Sequence, residues 1–76
     1  MHWPDQIVLD PEIAAGKPII RGTRLTVELI LGMLGAGESE AAILSYYPNL
    51  THEDLVACIA FASYLVREFR AFPLSA

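Results

Sequence analysis

The chain has one cysteine in 76 residues, Cys58. That excludes an intramolecular disulfide and a multi-cysteine zinc site. Lys and Arg together number five, and none lies between Glu28 and Val66, so a broad basic face for nucleic acid is missing. No run of about 18 uncharged apolar residues occurs. The longest charge-free apolar segment, Leu55 to Val66, is too short to cross a bilayer, and no membrane association is expected. The N-terminus carries Asp5 and Asp10 and no basic leader region, so no secretory signal is read there. His2 and His52 are far apart, and neither has an H-x-x-x-H partner. Neither phosphate-loop pattern, G-x-x-x-x-G-K or G-x-G-x-x-G, is present. These absences leave no catalytic constellation, no metal site and no cofactor motif, and a non-enzymatic protein is expected. The lone cysteine reads as a small core filler in a reducing cytoplasm.

Apolar residues are abundant, at 54%, and charged residues make up 18%, which argues against disorder. The length fits a single domain over residues 1–76. A domain of this size buries only about 60% of the surface its unfolded chain exposes. Its apolar excess is therefore expected to meet another chain. The net charge of −4 is unevenly spread. Residues 28–66 carry Glu28, Glu38, Glu40, Glu53 and Asp54, while Lys17, Arg21 and Arg24 crowd into one short segment.

Residues 7–27 read as short β-prone runs around turns. Ile7-Val8-Leu9 stops at Asp10-Pro11, Gly16-Lys17-Pro18 punctuates the chain again, and Ile19-Ile20 precedes Arg21-Gly22-Thr23-Arg24. Three helices follow, over 26–34, 39–47 and 51–70. Thr26, Ser39 and Thr51 are the expected N-caps. Val27, Ile30, Leu31 and Leu34 form one apolar face of the first helix, which Gly35 and Gly37 end. Ile43, Leu44 and Tyr47 give the second an apolar side before Pro48 stops it. Thr51 with Asp54 three residues on resembles a capping box, and Leu50 is placed to staple onto Leu55. The expected architecture is mainly α, a small three-helix domain of helix-turn-helix type with a short N-terminal β element.

The third helix carries Leu55, Ile59, Ala62, Val66 and Phe69 in alternating steps of four and three, a seam of coiled-coil type. It is expected either to centre the domain or to meet a second chain, and a homodimer is expected. Trp3, Phe69, Phe72 and Leu74 read as core lids or as interface anchors. In a helix-turn-helix the third helix would present His52, Glu53 and Asp54 to DNA. Carboxylates there repel phosphates, so DNA binding is expected only with a basic partner or from a dimer that presents the Lys17–Arg24 loops.

The segment Asp10-Pro-Glu-Ile-Ala-Ala-Gly-Lys-Pro-Ile-Ile-Arg-Gly-Thr-Arg-Leu-Thr-Val27, followed by Leu34-Gly35-Ala36-Gly37 and by Tyr47-Pro-Asn-Leu-Thr-His-Glu-Asp-Leu55, resembles the signature of the domain of unknown function 433 family. The resemblance covers roughly residues 7–66. It implies a homeodomain-like fold and an antitoxin-type role, some members being called VapB-type antitoxins. The implied partner is a PIN-like (Mut7-C-like) ribonuclease. A helix-turn-helix DNA-binding regulator and a purely structural oligomerising adaptor are the alternatives.

Lys17, Arg21, Thr23 and Arg24 are the candidate toxin-binding residues. Two readings of them stand side by side. In one the segment is a rigid turn, with Thr23 bonding backbone and Arg24 pairing with an acidic helix residue such as Glu28. In the other Arg21 or Arg24, supported by Lys17, engages carboxylates of the nuclease, since the guanidinium fork binds carboxylates bidentately.

Overall fold

A computed structural model describes residues 3–69. The expectations for His2, Arg70, Phe72 and Leu74 lie outside the described residues. The chain is mainly helical, with three helices and a two-stranded antiparallel sheet. A 3-10 turn, Trp3–Asp5, leads into β1, Ile7–Val8, which pairs with β2, Ile19–Ile20, in the register Ile7↔Ile20 and Val8↔Ile19. Two strands this short are marginal alone. Their inward residues Ile7, Ile19 and Ile20 are buried, so the hairpin is held by the helical core.

The link between the strands turns sharply at Ala14–Gly16, where Ala14, Ala15 and Gly16 take φ of 52°, 56° and 82°. Alanine rarely adopts this region. Three successive left-handed residues reverse the chain just ahead of Lys17.

Helix α1 spans Val27–Gly35, α2 Glu40–Tyr46 and α3 His52–Glu68. Each begins at a hydroxyl cap. Thr26 Oγ1 accepts from Leu29 N at 3.0 Å, Ser39 Oγ from Ala42 N at 3.1 Å and Thr51 Oγ1 from Asp54 N at 3.2 Å. Thr51 N in turn donates to Asp54 Oδ2 at 3.1 Å, which completes a reciprocal capping box. Helix α1 ends with Glu38 N donating to Met33 O and Gly37 N to Leu34 O, both at 3.0 Å, around Gly37 at φ 92°. These are the two bonds of a Schellman close, which requires a left-handed residue at that position. Helix α3 stops at Glu68, with Phe69 as its C-cap.

The core joins Ile7 and Ile20 to Val27 and Ile30 of α1, Ile43 of α2, Leu50, and Leu55, Ala57, Cys58 and Phe61 of α3. No charged side chain is buried among the described residues. Leu50, just before the cap, is 5% exposed and packs in the same cluster as Leu55. Trp3 lies against α3, its ring centroid 4.7 Å from Phe61 and 5.3 Å from Tyr64. It is partly buried and packs as a lid against the core beside Phe61.

The expected seam of α3 divides. Leu55 is 2% exposed and belongs to the chain's own core, because Leu50 and the other helices close over the first turn of α3. Ile59, Val66 and Phe69 are 52%, 74% and 64% exposed, and Ala62 is partly buried. No described helix is long and apolar enough to cross a membrane.

Candidate functional site

The basic segment is a tight, internally bonded turn between β2 and α1. Ile20 N donates to Leu25 O at 2.9 Å and Thr23 N to Ile20 O at 3.0 Å, so residues 21–24 form the tip. Gly22 takes φ 81° with open space where a Cβ would stand. Backbone conformation, not crowding, demands glycine there. Thr23 fills the inside of the turn: its hydroxyl donates to Ile20 O at 2.8 Å and accepts from Leu25 N at 3.0 Å. The side chain expected to bond backbone does so, and its hydroxyl is spent on shaping the tip.

The three cations differ in what they touch. Lys17 Nζ lies 2.9 Å from Glu28 Oε1, which ties the strand approach to the first turn of α1. Arg21 donates from Nε to the Asp5 carbonyl at 2.8 Å, and its backbone N donates to Gln6 O at 2.7 Å. Arg24 is exposed and makes no hydrogen bond or ion pair with any described residue. The expected Arg24–Glu28 pair is therefore replaced by Lys17–Glu28. The reversal at Ala14–Gly16 delivers Lys17 to the N-terminal end of α1, and Glu28 is occupied.

Opposite Arg24 stands a feature that sequence reasoning missed. Residues 22–25 face residues 46–49 across a cleft of about 360 Å³. Its lining residues include Arg24, Tyr46, Tyr47 and Asn49. The two tyrosine rings meet edge to face, 6.5 Å apart. Tyr46 Oη donates to Glu38 Oε1 at 3.0 Å, and that carboxylate raises the phenol's pKa above its ordinary value. The phenol stays protonated and neutral across the physiological range. The cleft thus offers one free cation, an amide, and aromatic faces at the junction of two turns. The signal was present as two motif blocks, one ending at Val27 and one opening at Tyr47, which the fold sets side by side.

Two further titratable groups, His52 and Cys58, are respectively engaged and inert. His52 Nδ1 lies 2.8 Å from Glu40 Oε2, which links α3 to α2, and the carboxylate raises the imidazole pKa. Cys58 is fully buried, and burial, helped by the charge of Asp54, pushes its thiol up to about 11. Such a thiol is a poor nucleophile. Among the described residues no group of three or more His, Cys, Asp or Glu is placed to hold a metal ion.

A second concavity is apolar. It runs between α1 and α3 with a volume of about 410 Å³ and is lined by Val27, Leu31, Phe61, Leu65 and Val66 among others. It takes in Ala62 and Val66 of the exposed part of α3 and shares no lining residue with the Arg24 cleft.

No curated protein matches the chain. The crystal structure of a DUF433 member protein from Anabaena variabilis matches with a TM-score of 0.77 at 28% identity. The alignment covers 83% of this chain and 62% of that one, so the present chain spans under two thirds of that relative's length. The family model described as "Protein of unknown function (DUF433)" matches residues 7–62, which take in the hairpin, the basic turn, the cleft and most of α3, and the chain belongs to that family.

Proposed function

We propose that this protein is an antitoxin-like binding protein of VapB type that neutralises a PIN-like (Mut7-C-like) ribonuclease by direct contact in the cytoplasm, without catalysis of its own. The observation that carries the reading is Arg24, an exposed side chain with no hydrogen-bond or ion-pair partner among the described residues, carried on an internally bonded turn that lines a cleft. PIN-like nucleases gather carboxylates around their metal ions. A guanidinium carried on an ordered turn suits such a cluster, because its fork pairs with carboxylates bidentately and the backbone that bears it is already fixed before docking. Arg21 and Thr23 serve by shaping the turn, and Lys17 by anchoring it to Glu28.

The helix-turn-helix DNA reading draws less support. The first turn of α3 presents Glu53 and Asp54, and His52 beside them is engaged by Glu40. A homeodomain-like arrangement of α2 and α3 is compatible with protein binding as well.

The test is co-expression with the PIN-like product of a neighbouring gene, followed by co-purification and growth rescue. The wild-type chain is expected to co-purify and to rescue. Arg24→Ala is expected to fold normally and to lose most of both, while Lys17→Ala retains them. Full rescue by a folded Arg24→Ala variant overturns the role of Arg24. Absence of any complex with wild type, together with salt-sensitive binding to DNA, favours the regulator instead.

A further inference from the structure

The cleft that Arg24 lines has walls fixed by their own bonds. One is the turn of residues 20–25. The other is the turn of residues 47–50, where Leu50 N donates to Tyr47 O at 2.9 Å. Pro48 holds the second position of that turn, which its fixed φ suits. Ile20 and Leu50 are 0% and 5% exposed, so each wall is pinned to the core at one end. The cleft holds about 360 Å³. One turn of an α-helix, about 5.4 Å tall and 10–12 Å across, fills more than that, so the cleft suits side chains and not a helix.

Its polar groups are unspent. Arg24, Tyr47 and Asn49 line it, and their side chains make no hydrogen bond or ion pair with any described residue. Tyr47 is partly buried, yet no partnerless side-chain polar atom is sealed among the described residues, so its hydroxyl is open to solvent. A guanidinium, a phenol and an amide can all donate, which matches a group rich in acceptors. Arg24 is the only charged lining residue, and Glu38, the carboxylate that Tyr46 reaches, is not among them. Leu25, Pro48 and the two tyrosines add apolar surface. One anionic group with an apolar neighbour fits this set. A nucleic-acid strand fits it poorly. It brings a phosphate with every nucleotide, whereas no Lys or Arg lies between Arg24 and Arg67 and the charges between them are acidic.

We propose that this cleft docks a short acidic–apolar segment of a protein partner, an Asp or Glu beside a Phe or Leu. The carboxylate meets Arg24, Tyr47 and Asn49, and the apolar side chain packs on Leu25, Pro48 and the tyrosines. This rests on the reading of Arg24 as a contact for carboxylates and does not require that the segment belong to a ribonuclease.

The test is titration of the isotope-labelled full chain with acetyl-Asp-Phe-amide, read by amide NMR shifts up to about 20 mM peptide. Shifts are expected to centre on residues 22–25 and 46–49 and to saturate with a Kd on the order of 1 mM. Acetyl-Asn-Phe-amide is expected to bind about tenfold more weakly, having lost a charge-assisted bond, and acetyl-Asp-Ala-amide about threefold more weakly. Tyr47→Phe and Asn49→Ala remove groups with no bond to lose and are each expected to weaken binding about threefold. Arg24→Glu is expected to lose the Asp peptide and to bind acetyl-Lys-Phe-amide instead, a reversal that a merely structural role does not produce. No saturation, shifts centred elsewhere, or equal binding of the Asn peptide overturns the proposal. Inorganic phosphate bound as tightly as the peptide overturns it by leaving a bare anion site, and tighter binding of oligouridylate at the same residues gives the cleft to single-stranded RNA. A ribonuclease complex indifferent to Tyr47→Phe and Asn49→Ala overturns the cleft and keeps the antitoxin reading. Peptide binding by a chain that forms no ribonuclease complex keeps the cleft and removes that reading.

Discussion

Lys17 Nζ sits 2.9 Å from Glu28 Oε1, across eleven residues of sequence, and this contact decides which cation of the basic segment is left for a partner. The pair itself is solvent-exposed, at 56% and 72% of the two side chains. Exposed pairs contribute about 0–1 kcal/mol. Lys17→Ala is therefore expected to lower unfolding stability by less than about 1 kcal/mol. Arg24→Ala, an exposed position with no side-chain hydrogen bond or ion pair to lose among the described residues, is expected to stay within about 0.5 kcal/mol of wild type. Urea denaturation of the two variants checks both values.

Thr23→Val keeps the shape of residue 23 and removes its hydroxyl. The turn then loses the bond to Ile20 O and leaves Leu25 N without its acceptor. A half-buried turn that loses both is expected to be destabilised by about 1–2 kcal/mol, read as a lower urea midpoint at unchanged m-value.

His52 is expected to titrate above its ordinary 6.5 in a proton NMR experiment, because the hydrogen bond and charge of Glu40 favour the imidazolium. Its folded-state pKa is raised, so the α2–α3 link stabilises the fold fully below about 6.5. That contribution disappears as pH rises through the raised value. His52→Gln is expected to flatten this part of the stability profile between pH 5 and pH 8. An unchanged profile in the variant would show that the pair contributes nothing measurable.

Cys58 is fully buried with its thiol pushed up to about 11. At pH 8 about one molecule in a thousand then carries a thiolate, against roughly a quarter for an ordinary exposed cysteine. Iodoacetamide is expected to leave the native chain unmodified over hours and to alkylate it promptly in urea. Mass spectrometry distinguishes the two outcomes.

Much of this fold is legible in the sequence because its signals are local. Thr26, Ser39 and Thr51 each precede an apolar-periodic segment, and each caps a helix. Ile7 and Ile20 mark the two strands that pair. What escapes is decided over longer distances. The spacing of Leu55, Ile59 and Val66 is one pattern, yet the body of the domain covers only its beginning. Nothing in a four-and-three repeat says where cover ends. The partner of Lys17 depends on a left-handed run that includes two alanines, residues that carry no signal for it. The Arg24 cleft joins residues 22–25 to residues 46–49, more than twenty positions apart in sequence, a meeting that no local pattern announces.

The placement of Trp3 has a practical consequence. It is the only tryptophan in the chain, it belongs to the N-terminal arm, and its ring rests edge-on against Phe61 of α3 at 4.7 Å. The molecule thereby carries a native optical gauge at the joint between its arm and its helices. Indole emission shifts when that ring meets water, while helical ellipticity follows α1 to α3. Recorded together on one sample, the two signals show whether arm and helical body part company in sequence or melt as one, with no label attached.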